Sequence, residues 1–202
     1  MSSTKERIFK AALETFSKRG FYKATMDEIA EAAGVAKGTL YYHFKSKDDI
    51  LDFLIDEGIK RLKQQAIEEI SKVNGAIEKL KRIVFVQTNF LYKNHDFIIV
   101  LLSQIWGHGD VPRRFREKLS TYLEIIEKVV KEGKEQKLLA DCNEKLVAAA
   151  FFGMTTSILA LKVIREEETV DTQEITDTVF NFALNGLKFY HYTSKEVFFV
   201  DF

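Results

Sequence analysis

Residues 25–51 read TMDEIAEAAGVAKGTLYYHFKSKDDIL, and this stretch decides the fold. Thr25 followed by Glu28 is a capping-box pattern, in which a hydroxyl and a carboxylate each satisfy a free backbone N–H at a helix start. It predicts a short helix over 26–33, ended by Gly34, which stands where a tight turn needs a left-handed backbone. A second short helix is expected over 37–44. Two short helices joined by Ala33-Gly34-Val35-Ala36 make a helix-turn-helix. Ile29, Ala30, Ala33, Val35 and Leu40 are spaced to pack both helices on a preceding one, and the two alanines allow close approach. The other face of the second helix carries Lys37, Thr39, Tyr42 and His43, residue types that reach base edges and phosphates. Gly38 removes a side chain there and would let backbone come near DNA.

The pattern stays helical on both sides of this stretch. Upstream, Ile8, Phe9, Ala12, Leu13 and Phe16 share one face of a helix over 3–19, with Ser3 and Glu6 as its cap and Gly20 as its stop. Downstream, Ser46 with Asp49 opens a long helix to about Lys72, roughly 40 Å at 1.5 Å per residue. Asn74-Gly75 breaks the pattern. Helices are then expected over 76–92 and 96–106, followed by a loop through Gly107-His108-Gly109-Asp110 and Pro112. Further helices are expected over 113–135, over 144–165 (capped by Asn143), and from Asp171 and Glu174 to about Tyr192. The apolar tail 197–202 has no assignment. The expected fold is all-α with about nine helices: a three-helix reader over 1–47 and a helical body over 48–202.

Composition agrees. The chain has 202 residues, 46% hydrophobic and 30% charged, with a single proline. Average usage would give about ten prolines. The length allows one or two domains with a real core. One cysteine, Cys142, excludes an internal disulfide framework and any CxxC motif, and fits a reducing cytosol. The N-terminus has no apolar core of the signal-peptide kind. The longest uncharged stretch, Leu146 to Leu161, falls short of the roughly 20 apolar residues of a membrane span. A cytoplasmic protein with no membrane partner is expected. The net charge of zero hides an asymmetry: residues 1–47 carry nine basic and five acidic residues, the remainder 21 and 25. A basic head of +4 on an acidic body of −4 is the footprint that phosphate neutralisation calls for, once it sits on a helix-turn-helix.

Residues 25–51, together with Ala11-Ala12, Phe16 and Gly20-Phe21, closely resemble the DNA-binding motif of the TetR family of transcriptional regulators. The resemblance covers roughly residues 5–55. It implies that Thr25 bonds a phosphate, that Lys37, Gly38 and Thr39 face the major groove, and that Tyr41, Tyr42 and His43 contact the backbone or base methyls. Lys47 would hold a further phosphate, helped by the dipole of the long helix. Ala36 departs from the pattern, since many relatives place a Ser or Thr cap there; its methyl cannot cap the second helix, a loss of about 1 kcal/mol.

The body matches the family only in the number and length of its helices. By the resemblance it would enclose a small molecule, and the residues to look at first are Phe85, Thr88, Asn89, Phe90, Gln104, Trp106, Tyr122 and Ile126. The sparse polar groups among them suit an apolar or amphipathic ligand. The last two helices are apolar on much of their circumference and so must be covered on more than one side. Phe152, Thr156, Leu159 and Val163 with Phe180, Ala183, Leu184 and Leu187 are the expected surface of a four-helix homodimer contact. The expected function is a homodimeric repressor released from a near-palindromic operator by its ligand. A DNA-bound adaptor signalling through a protein partner is the alternative. An enzyme fits less well: His43, His95, His108 and His191 are dispersed, Cys142 has no catalytic context, and no metal site or cofactor is expected.

Overall fold

The computed structural model describes residues 3–105, 110–165 and 170–187, leaving undescribed the side chains of residues 3, 101, 103–105, 110–112, 163 and 164. The tail 197–202, residues 106–109 with Trp106 and His108, His191 and the expected end of the last helix at about Tyr192 fall outside these residues, as do the side chains of Gln104 and Val163. The elements are α1 (Ser3–Arg19), α2 (Met26–Ala32), α3 (Lys37–His43), α4 (Lys47–Ile70), α5 (Ala76–Lys93), α6 (His95–Ile105), α7 (Asp110–Glu135), α8 (Glu144–Ile164) and α9 (Thr172–Leu187). The fold is all-α among the described residues.

Local chemistry sets the boundaries. Thr25 Oγ1 accepts from Glu28 N at 3.2 Å while Thr25 N donates to the Glu28 carboxylate at 3.0 Å. Ser46 and Asp49 form the same box at the start of α4. The Asn143 side chain caps α8 and that of Asp171 caps α9. Gly34 holds φ +59° between α2 and α3. Ala36 caps nothing with its side chain. One boundary departs from expectation: α7 starts at Asp110, so Asp110 and Pro112 belong to a helix and not to the loop. Proline is tolerated in a first turn, where its missing N–H would have had no intrahelical partner.

α1 carries the reader, packing on α2, α4 and also α6. Beneath it, α5 is the hub of the body, flanked by α4, α7, α8 and α9. Gly58 is what lets α4 and α6 meet: a Cβ there would lie 2.2 Å from the Phe97 ring. α8 is, over Glu144–Lys162, long and apolar enough to cross a membrane. In the structure it packs against the bundle on one side, burying Ala148, Phe151, Phe152, Thr155, Thr156, Leu159 and Ala160. Its contacts run to α7, α5, α6 and α9.

Charged groups fasten α4 on both sides. Arg61 reaches Glu6 of α1 at 2.6 Å and Glu57 at 3.0 Å, with its guanidinium 4.4 Å from the centre of the Phe9 ring. On the other side Arg114 of α7 sits 2.7 Å from Asp52. That contact is close but poorly aligned as a hydrogen bond, so it acts through charge, and the second Asp52 oxygen is buried without a partner among the described residues. Lys118 lies 3.4 Å from the Asp56 carboxylate and 3.4 Å from the Asp52 carbonyl oxygen.

Candidate nucleic-acid interface and effector body

The face of α3 turned away from the core is built by one buried residue. Leu40 is fully buried, which fixes the rotation of the helix and leaves Lys37, Gly38, Thr39, Tyr41 and Tyr42 in solvent. Tyr42 is 85% exposed and Tyr41 50%, an unusual outlay of aromatic surface for a free protein. Tyr41 therefore is not a core aromatic. His43 is half-buried, its ring edge-on to Tyr42 at 5.2 Å and tilted against Phe44 at 6.3 Å; Phe44 in turn packs on Phe53 of α4 at 5.1 Å. An aromatic chain thus runs from the exposed face of α3 into α4, and Phe53 continues it edge-on to Phe9 of α1 at 6.1 Å.

The polar groups around this face are either solvent-exposed or tied inward. Lys37 is paired with Asp27 at 2.6 Å, a bond that raises the lysine pKa. Both side chains are largely exposed, so the pair contributes little. Thr25 Oγ1 spends only a lone pair on its cap, and its O–H remains a donor. Lys47 differs from expectation: its ammonium donates to the carbonyls of Phe21 and Tyr22 at 2.9 and 3.0 Å and lies 5.1 Å from the Phe21 ring centre. Two of its three N–H bonds hold the α1–α2 turn on α4.

Two residues of this region escaped the sequence reading. Arg7 of α1 donates from Nε to the Ala33 carbonyl at 2.8 Å and from Nη2 to the Gly34 carbonyl, clamping the turn between α2 and α3 from behind. Tyr22 is 92% exposed in the turn between α1 and α2, between the basic residues Arg19 and Lys23 in sequence. Arg7 follows no motif that would reveal it. Tyr22, a polar-tipped aromatic in a turn, carried a readable signal.

In the body the six candidate residues whose side chains are described do not form one site. Phe85 and Asn89 line an open α4–α5 groove of about 200 Å³ with Gln65, Glu68, Glu69, Val86 and Lys93. Thr88, Phe90, Tyr122 and Ile126 are buried in the core. The structure joins Tyr122 to a residue outside the candidate set: its hydroxyl donates to Gln87 Oε1 at 3.1 Å, and Gln87 Nε2 donates to the Phe152 carbonyl at 2.9 Å and to Thr156 Oγ1 at 3.4 Å. Burial pushes the Tyr122 phenol pKa up, so it stays a donor at any physiological pH. Thr88 Oγ1 is buried with no hydrogen-bond partner among the described residues. Gln87 sits in the run Val84-Phe85-Val86-Gln87, a signal of the same kind that singled out Gln104.

Of the residues expected at a subunit contact, Phe152, Thr156, Leu159 and Phe180 are buried inside the chain. Ala183, Leu184 and Leu187 are half-buried. The solvent-facing stripe of α8 lies further round the helix, at Leu146, Ala150, Ser157 and Leu161 with the half-buried Gly153 among them, and Phe182 of α9 is 74% exposed. Phe152 and Thr156 pack inward because they serve the Gln87 cluster.

Comparison with known proteins fits this geometry. Residues 8–53 match the family model described as bacterial regulatory proteins, tetR family, and residues 74–187 match the tetracyclin repressor-like C-terminal domain. The fatty acid metabolism regulator protein of Bacillus subtilis is 25% identical over 183 residues, covering 90% of this chain and 94% of its own. A Clostridium perfringens structure provisionally assigned as a fatty acid metabolism regulator is 34% identical with a TM-score of 0.82, covering 91% of this chain and 100% of that one. The structure of the transcriptional regulator FadR from Bacillus subtilis in complex with stearoyl-CoA is 25% identical with a TM-score of 0.83, covering 91% and 99%.

Proposed function

The chain belongs to the tetR family of bacterial regulatory proteins and is a DNA-binding transcriptional regulator, not an enzyme, and on that footing we propose that it is a homodimeric repressor released from its operator by a long-chain acyl-CoA. The observation that carries this reading is the double attachment of α4. From Lys47 to Arg61 it is fastened to the reader through Lys47, Phe53 and Arg61, and the same helix forms a wall of the body against α5 and α7. An effector that parts α4 from α7 must therefore displace the reader. By linkage it must bind the DNA-incompetent arrangement more tightly than the competent one.

The effector class comes from the Bacillus subtilis FadR complex, whose bound molecule is stearoyl-CoA. An amphipathic ligand suits a body with an apolar interior and isolated polar groups. Residues 1–47 would serve as reader and 48–202 as body. Lys37, Gly38, Thr39, Tyr41 and Tyr42 would enter the groove, with Thr25, His43 and the remaining N–H of Lys47 on phosphates. For the second copy, the exposed stripe of α8 and Phe182 offer the surface. Gly153 and Gly186 have open space where a Cβ would go, so among the described residues nothing requires them. A mid-helix glycine costs about 1 kcal/mol relative to alanine, a loss that close approach of a second copy would offset. Two readers spaced about 34–36 Å apart would read a near-palindrome in successive major grooves.

The test begins with selecting bound DNA from a random pool to obtain the operator. Its release is then followed by fluorescence anisotropy across a series of acyl-CoA chain lengths. If acyl-CoA binds and no chain length weakens operator binding, the release mechanism is wrong.

A further inference from the structure

The stearoyl-CoA reading raises a physical problem that the apolar body does not solve: the coenzyme head carries several phosphate charges, and these must be met by cations at the rim. Three open grooves among the described residues differ in their charge. The α4–α5 groove offers Lys93 against Glu68 and Glu69. A groove of about 440 Å³ on α7 and α8 balances Lys128, Lys131 and Lys145 with Glu124, Glu127 and Glu144. The third, about 320 Å³ between α4 and α7, is lined by Lys60, Lys63 and Lys118 with Asp56 as its sole carboxylate. Gln64 and Thr121 add hydrogen-bonding groups, and Ile59 and Ile67 supply apolar surface. Ile67 is 52% exposed in a helix that otherwise buries its isoleucines well.

Lys60 and Lys63 have no ion-pair partner among the described residues, whereas Lys118 is shared with Asp56 at 3.4 Å. The same groove is thus both the most cationic of the three and the place where α7 is held to α4. We infer that the α4–α7 groove seats the phosphates of the effector's coenzyme head, and that a phosphate there takes Lys118 from Asp56 and loosens α7 from α4. This rests on the acyl-CoA reading above, and it adds where the head binds and how binding reaches the reader. Charge explains the direction: a phosphate oxygen near Lys60, Lys63 and Lys118 gains from three cations, while Asp56, about two-thirds exposed, loses little on returning to water. Arg114 remains on Asp52, so the contact between α4 and α7 shifts rather than dissolves.

The experiment is isothermal titration of the full chain with stearoyl-CoA, CoA alone and stearate, comparing the wild type with Lys60→Gln/Lys63→Gln. The expected result is a loss of stearoyl-CoA affinity of about tenfold per lysine, a shallower salt dependence, unchanged stearate binding and unchanged ligand-free operator binding. Equal stearoyl-CoA affinity in the variant overturns the seat while leaving the proposed effector standing. No stearoyl-CoA binding by the wild type overturns the effector reading and this inference with it. Weakened ligand-free operator binding in the variant would place the groove on DNA and also overturn the inference. The coupling is read separately with Lys118→Met, which should bind operator several-fold more weakly without ligand at an unchanged melting temperature, and with Lys118→Arg, which should restore it. Wild-type operator affinity in Lys118→Met removes the competition step.

Discussion

Arg7 holds the helix-turn-helix without facing DNA. Its guanidinium spans the carbonyls of Ala33 and Gly34, the two residues that turn the chain from α2 to α3. Arg7→Met should keep the stem packing and lose both bonds. Operator affinity should fall about tenfold with a small change in melting temperature, as expected for charge-assisted bonds on a partly exposed group. Tyr42→Ala gives the contrasting outcome: its ring is in solvent, so operator binding should be lost with the melting temperature unmoved. In the body, Gln87→Leu strands the buried Tyr122 hydroxyl and should cost about 1–3 kcal/mol by urea denaturation. Glu6 is also readable by pH. Its hydrogen bond from Arg61 holds its carboxyl below the usual 4.5. A depressed carboxylate stabilises the fold above its unfolded pKa and loses that contribution as pH falls through the folded value. The gap in melting temperature between wild type and Glu6→Gln should therefore be constant well above the usual carboxylate range and narrow as the pH falls below it.

Among the elements, α4 and α6 meet at a single unsubstituted carbon. Gly58→Ala would drive a methyl into the Phe97 ring, and overpacking of this kind costs about 1–3 kcal/mol. Because both helices touch α1, the variant should also change the effector concentration needed for release, measured by anisotropy at a fixed operator concentration. Element boundaries were legible wherever a side chain announces them: Thr25 with Glu28, Ser46 with Asp49, and Gly34 all act at the structure's own helix ends. Asp110 and Pro112 misled because loop-forming residues are equally at home in a helix's first turn. The site was legible in part, for periodicity marks which residues of α3 must be buried and so which are not. Periodicity could not rank the faces of α8, where Phe152 and Leu146 are both apolar and only the partner helices decide which turns inward.

For the whole molecule, the surface left over after packing bears on assembly. Gly153→Arg sits in open space within the subunit and should leave its fold intact. If the α8 stripe covers a second copy, the variant should sediment as a monomer and bind the operator far more weakly; an unchanged dimer would exclude this stripe from the contact. The charge asymmetry acts at the same scale. Neutralising acids of the body should raise non-specific DNA binding, measured as a flatter ratio of operator to random-sequence affinity.

The attachment of Arg61 to Glu6 and the Phe9 ring has a geometric consequence. It makes α4 from Lys47 to Arg61 and the reader one lever, whose fulcrum lies toward the body from Arg61. From Arg61 to Lys47 the helix runs about 21 Å at 1.5 Å per residue, so a tilt of only about 8° carries its far end by about 3 Å. That is about one base-pair step along a strand. With two such levers in a dimer, the displacements act at both half-sites, and paired spin labels on the two readers should report a separation changed by several ångströms when effector binds.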